Sequence, residues 1–274
     1  MQRLQILWRF ILFFFRAKTL YQVHSPFVFE FCKKVLEDNR WFYAFSSIEP
    51  IRQKLLLDFN EIEVTDWGAG SHVANGKRRK VRDIAQSALT PPYYCRMLFR
   101  VVHHLRPLRL LEVGSSLGIS TLYQSQPQSS AQLITLEGCP SIAHIARQNF
   151  AAHKTQNIQL LEGPFETTLP QALAQFPQLD YAFIDGNHRE APTLAYFEQC
   201  LEHCHENSVL IFDDIYWSAE MQSAWEKIKA HPKVSLSIDL FFMGLVFFRP
   251  EQQEKQHFRL VPAKWKPWVM GFLR

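Results

Sequence analysis

The chain has 274 residues, 47% of them apolar, which suits one large domain or a domain with an appendage. A formal charge of +4 is mild and does not by itself point to nucleic acid, and no stretch approaches the ~20 unbroken apolar residues of a membrane span. Five cysteines, an odd number without framework spacing, argue against a disulfide scaffold and for a reducing cytoplasm.

Residues 1–85 are rich in aromatic and basic side chains. Leu4, Leu7, Trp8, Ile11, Leu12, Phe14 and Phe15 make a wide apolar face on a helix, with Arg3, Arg9, Arg16 and Lys18 around it. Such a helix packs on the rest of the chain or on a second subunit of a homodimer, the commoner use, or lies weakly on a membrane surface. Ile6 to Phe15 is interrupted by Arg9 and has no small-residue cleavage site after it, so a signal peptide is not expected. Asp66-Trp67-Gly68-Ala69-Gly70-Ser71 has the glycines of a ligand loop but leads into Asn75-Gly76 and a basic run, not an apolar helix. That run, Lys77, Arg78, Arg79, Lys80 and Arg82, reads as a flexible, solvated loop that caps a site and draws in an anionic substrate.

A series of short apolar runs follows. Leu110-Leu111-Glu112-Val113 reads as a buried strand, and its acidic residue opens Glu112-x-Gly114-x-x-x-Gly118, with Ser115 and Ser116 between the glycines. Leu133-Ile134-Thr135-Leu136 is the next strand and ends in Glu137, 19 residues past Gly118. A strand that delivers a small nucleotide-like ligand to a glycine turn, with a carboxylate on the next strand tip to accept ribose hydroxyls, accounts for both features. Residues 158–163, 179–186 and 208–214 read as three more strands, the interval 194–204 as a helix with Leu194, Phe197, Leu201 and Cys204 on one stripe, and Ala219 to Ala230 as a helix stopped by Pro232. Val234 to Leu240 and Leu245 to Phe248 lie too close for a helical crossover and are therefore antiparallel. The segment 263–268, Ala-Lys-Trp-Lys-Pro-Trp, repeats the basic and aromatic character of the N-terminus.

The dinucleotide fingerprint Gly-x-Gly-x-x-Gly is absent. The Glu112-x-Gly114-x-x-x-Gly118 pattern, with Glu137 and the strand order after it, resembles motif I of the class I S-adenosylmethionine-dependent methyltransferases over roughly residues 85–250. The resemblance implies an α/β, Rossmann-like, doubly wound sheet of seven strands with the last antiparallel, behind an N-terminal helical extension. It divides the chain into an extension (1–85), a cofactor domain (86–250) and a tail (251–274). It also implies a cofactor site of Thr90, Glu112, Gly114, Ser115, Ser116, Gly118, Glu137, Gly163, Pro164, Phe165 and Asp185. Tyr21-Gln22-Val23-His24-Ser25-Pro26-Phe27 is similar to a segment that precedes the cofactor domain in bacterial relatives.

Asp185, Asp213 and Asp214 end adjacent strands in this reading, and a cluster of three carboxylates suits Mg2+. The arrangement resembles the metal-dependent O-methyltransferases of catechols and macrolide sugars, although Asp213-Asp214 stands where the catechol type has Asp-Asn. In the sugar-modifying group the residue matching His188 is the proposed base, and an imidazole is well suited to take a hydroxyl proton. Without a cation the same carboxylates cap helices or meet the cofactor. Tyr216 and Trp217 shape an acceptor pocket or simply pack. Cys200, His203, Cys204 and His205 mimic a zinc cluster, but the cysteines fit the apolar stripe. The expectation is a cytoplasmic O-methyltransferase of a small-molecule acceptor, with no nucleic-acid partner. The alternatives are an N- or nucleic-acid methyltransferase, whose Asn-Pro-Pro-Tyr-like loop is missing after the fourth strand, and a non-catalytic cofactor-binding module on a membrane or protein surface.

Overall fold

Local chemistry explains where the elements begin and end. The computed structural model describes residues 2–65, 77–251 and 254–270, so the segment 66–71 lies outside the described residues. Helix α1 (Gln2–Arg16) is followed by α2 (Pro26–Phe31), where the Val28 amide donates to Ser25 Oγ at 3.5 Å and Pro26 takes the first helical position. Helix α3 (Tyr43–Leu56) buries Phe45, Ile48, Arg52 and Leu55 along one stripe. The basic run is not the loop expected from its charge. Lys77–Lys80 is strand β2, antiparallel to β1 (Glu61–Val64), with Lys80 opposite Glu61 and Arg78 opposite Glu63. Opposite charges on facing positions favour that pairing.

Helices α4 (Val81–Ala88) and α5 (Pro92–Leu105) lead into a regular alternation: β3 (Arg109–Val113), α6 (Ile119–Ser125), β4 (Gln132–Glu137), α7 (Pro140–Ala152), β5 (Ile158–Glu162), α8 (Phe165–Leu173), β6 (Leu179–Ile184), α9 (Glu190–Glu202) and β7 (Cys204–Asp213). Helix α10 (Ala219–Ala230) matches its expected span and precedes β8 (Leu236–Asp239), β9 (Met243–Phe247) and β10 (Gln256–Arg259).

Residues 40–187 form one unit, and residues 1–39 with 188–274 form another. In the first, the strands run β6-β3-β4-β5, all parallel. The chain steps from β3 outward through β4 to β5 and then returns to the other side of β3 with β6. That reversal makes the carboxyl end of β3 a switch point, where α/β sheets leave a crevice for ligands. Phe45, Ile48, Phe99, Leu122, Tyr123 and Phe150 belong to the core cluster of this unit.

In the second unit the order is β10-β8-β9-β7. β9 is antiparallel to both β7 and β8, as the short interval between β8 and β9 requires. Trp225 of α10 lies so close to Gly244 that a Cβ there would come within 2.7 Å of its ring. The α/β class is as expected, with one strand more than the seven foreseen. β10, parallel to β8, arises inside the segment read as a tail. Its sequence, Gln256-His257-Phe258-Arg259, holds one apolar residue, so no alternation marked it. Cys204 opens β7 instead of ending the preceding helix.

Candidate active site

The loop after β3 is shaped by glycines at the positions where a side chain has no room. Gly114 has φ 96°, and a Cβ on it would lie 2.3 Å from the carbonyl oxygen of Asp185 at the end of β6. Its amide and that of Ser115 both donate to the Leu136 carbonyl at 3.0 Å, and the Asp185 amide donates to the Val113 carbonyl at 2.9 Å. Gly118 has φ 84°, with the Phe150 ring only 2.5 Å from where its Cβ would be. The three strand ends β3, β4 and β6 are thereby tied at one place. Ser115, Ser116, Glu137 and Asp185 are brought together there.

Glu137 faces this loop. Its carboxylate accepts from the Ser116 amide at Oε2 and the Cys139 amide at Oε1, each at 2.9 Å. Burial pushes its pKa up to about 7, against the backbone amides of Cys139, Ser116 and Gly138, which lower it. A carboxylate offers about four lone-pair sites, so these three amides leave room for a further donor. The Ser115 and Ser116 hydroxyls beside it are buried and have no hydrogen-bond partner among the described residues. Buried hydroxyls are nearly always satisfied, so two orphans in one loop mark a place for a polar ligand. Ser116 holds φ 48°, a strained setting of the kind that gathers at functional loops.

Glu112 is placed differently from the motif-based expectation. It is fully buried, and its carboxylate accepts from Ser120 Oγ at 2.7 Å, Thr121 Oγ1, Gln124 Nε2 at 2.6 Å and Thr135 Oγ1 at 2.7 Å. Burial raises its pKa and these donors oppose the rise. Its work is to bind β3 to α6 and β4, which fixes the loop from beneath. Gly163 has φ 138° and donates its amide to the Glu137 carbonyl at 3.0 Å, while Pro164 precedes α8 and the Phe165 ring lies against Gly186, 2.8 Å from where a Cβ would stand.

Thr90 is buried, and a residue that sequence reading missed holds it. Arg52 Nη1 donates to the Thr90 carbonyl at 2.9 Å, Nη2 to Cys95 Sγ at 3.3 Å and Nε to Glu49 at 3.3 Å. The available signal was an arginine inside the apolar stripe of α3, where a charge persists only if it is paired. Burial keeps the Cys95 thiol neutral, its pKa pushed up to about 12.

His188, Asp213 and Asp214 belong to the second unit, and Asp185 to the first. Asp214 has φ 53°, and its carbonyl accepts from the Trp217 amide at 2.9 Å. Burial raises the Asp214 pKa, and the positive charge of His188 opposes that rise. Tyr216 does not line an open pocket. It is buried, donates to Asp239 at 2.7 Å and stacks on Phe241 at 5.0 Å, whereas Trp217 is exposed. Among the described residues no group of three His, Cys, Asp or Glu is arranged to hold a metal ion. The zinc-like cysteines are likewise engaged in packing, with Cys200 buried and Cys204 Sγ donating to the Cys200 carbonyl at 3.3 Å.

Residues 111–215 match the family model described as a methyltransferase domain. A curated relative, the O-methyltransferase hkm8 of Aspergillus hancockii, is 31% identical over 142 residues, 49% of this chain and 54% of that protein. Over residues 111–215 the chain is thus similar to methyltransferase domains.

The chain spans about half the length of the curated relative it matches. Two solved structures share its fold. The O-methyltransferase from Bacillus cereus in complex with SAH superposes with a TM-score of 0.54 at 19% identity, over 76% of this chain and 92% of that one. The O-methyltransferase TomG from Streptomyces achromogenes in complex with SAM gives 0.54 at 15% identity, over 80% and 94%. The orphaned Ser115 and Ser116 hydroxyls, the Gly114 approach and the Glu137 carboxylate suit the methyltransferase cofactor, which presents an amino acid at one end and a ribose diol in the middle.

Proposed function

We propose that this protein transfers a methyl group from S-adenosylmethionine to a hydroxyl of a small molecule. The observation that carries the cofactor part is the pair of partnerless buried hydroxyls, Ser115 and Ser116, beside the Glu137 carboxylate. The hydroxyl acceptor is supported by the name of the curated relative, an O-methyltransferase. When bound, the cofactor supplies an electrophilic methyl on a sulfonium.

The chain's own residues do the rest. Glu137 accepts the ribose hydroxyls, Ser115 and Ser116 satisfy the amino-acid end, Gly114 lets the backbone come close, and Gly163, Pro164 and Phe165 border the adenine. Orienting donor and acceptor this way is worth up to roughly 7–11 kcal/mol. His188 takes the proton that the acceptor hydroxyl gives up as its oxygen gains the methyl, and Asp185 orients the reacting groups. Removing such a base lowers turnover by roughly 10²–10⁴-fold. In this reading the proton route rests on His188.

Calorimetry with S-adenosylhomocysteine, followed by radiolabelled methyl transfer to a panel of phenols and sugars, tests the reading. One-to-one binding lost in Glu137→Gln, with transfer to oxygen lost in His188→Ala and kept in EDTA, is the expected result. Absence of binding would end the cofactor reading. Turnover that collapses in EDTA and survives His188→Ala would replace the base with a divalent cation at Asp185, Asp213 and Asp214.

A further inference from the structure

Helix α1 is apolar on two sides, and only one of them is covered. Phe13 is 3% exposed, and Phe10 and Phe13 both meet Phe241, with ring centroids at 5.0 and 5.4 Å. Phe14 meets Trp268 at 6.4 Å, and Arg9 Nη1 donates to the Tyr216 carbonyl at 2.9 Å. The opposite face carries Leu4, Leu7, Trp8, Ile11, Leu12 and Phe15, with Leu4 71%, Trp8 61% and Phe15 77% exposed. At about 100° per residue these six fill an unbroken arc of about 140°. Isolated exposed leucines need no explanation, but a continuous stripe of six on a helix anchored by its other side marks an interaction surface.

We propose that this outer face docks the protein reversibly on an anionic lipid surface, with α1 lying in the headgroup plane. Charge selects the occupant. Residues 1–29 hold Arg3, Arg9, Arg16 and Lys18 and no aspartate or glutamate, and no acid follows Glu254. Arg16, Lys18 and Lys264 are exposed, and the C-terminal turn that packs on α1 through Trp265 and Trp268 leaves Trp268 53% exposed. Apolar residues in the acyl boundary, tryptophan at the headgroups and cations above them match what a monolayer offers. A second copy docked through the same stripe would bring the same cations against one another. A 15-residue helix reaches only about 22 Å at 1.5 Å per residue, short of the ~30 Å hydrocarbon core, so it lies on the bilayer. Consistently, no helix among the described residues is long and apolar enough to cross one. The inference is independent of the methyl-transfer reading.

The test is sedimentation of the full chain with vesicles of phosphatidylcholine alone or mixed with phosphatidylglycerol, at low and high salt, with tryptophan fluorescence alongside. Strong binding to the anionic vesicles, weakened by salt and accompanied by a blue shift, is expected. The double variant Leu7→Glu, Ile11→Glu changes only exposed side chains and should cut partitioning at least tenfold while leaving the thermal midpoint and cofactor affinity unchanged. Arg16→Glu with Lys18→Glu should lower binding to anionic vesicles selectively. No vesicle binding, or binding that the double variant leaves intact, overturns the proposal. So does a concentration-dependent dimer in light scattering that Leu7→Glu, Ile11→Glu dissolves, since a second copy would then be the occupant.

Discussion

Glu137 is a carboxyl on which burial and the surrounding backbone amides act in opposite directions. In the folded protein burial raises its pKa from 4.5 to about 7. A raised carboxyl contributes stability that is fully present below the unfolded pKa and is lost as pH climbs through the folded one, so this group weakens the unliganded fold between about pH 4.5 and 7. Cofactor binding has the opposite sign, because ribose hydroxyls donate to the ionised form. Affinity for S-adenosylhomocysteine should therefore rise about tenfold from pH 6 to pH 8, and Glu137→Gln should flatten the profile. Calorimetry at the two pH values checks both. At Gly114 the constraint is steric: φ 96° and a Cβ 2.3 Å from a backbone oxygen leave alanine no room. Gly114→Ala should cost roughly 2–4 kcal/mol in a urea titration and weaken cofactor binding as well.

At the scale of elements, β3, β4 and α6 are joined by one buried carboxylate. Glu112→Ala would leave the donors on Ser120, Thr121, Gln124 and Thr135 without an acceptor in a dry interior. Roughly 3–5 kcal/mol of stability should be lost, since each orphaned buried group costs its own desolvation. Glu112→Gln retains one acceptor oxygen and should lose less than half as much by the same measurement. The outcome separates a scaffold role, in which affinity falls only as far as the fold loosens, from direct contact with the cofactor. The basic strand teaches a related lesson. Five cations in six positions read as solvated, yet Lys77–Lys80 pairs with Glu61–Val64, because β1 supplies carboxylates at facing positions. Charge composition described the side chains correctly and the backbone wrongly, since strand pairing depends on a partner elsewhere in the chain.

Across the whole molecule, binding and folding share one equilibrium. A ligand that fills the loop after β3 only in the folded state should add about 2.7 kcal/mol at 100 times its dissociation constant. Calorimetric scans with S-adenosylhomocysteine should show the thermal midpoint rise by roughly 5–10 °C. The N-terminal helix is part of its unit's core through Phe10, Phe13 and Phe241, and the Lys18 amide donates to the Arg259 carbonyl at 2.7 Å. Deleting residues 1–18 should lower that midpoint, whereas substitutions on the outer face should not.

The strand alternation, the glycines after Glu112 and the acid 19 residues beyond Gly118 were readable from the sequence alone, because they follow local rules: period, turn geometry and spacing along one chain. Helix α10 was legible for the same reason. Which oxygen meets which donor was not. Glu112 turned inward to four side-chain donors while Glu137 met backbone amides of the loop after β3 and of its own strand end, and both read alike as acids at strand ends. Periodicity showed that α1 is apolar but not that Phe13 is covered and Phe15 open, since that depends on where Phe241 and Trp268 come to rest. Local pattern is written residue by residue, whereas burial belongs to pairs of distant segments and exists only once they pack.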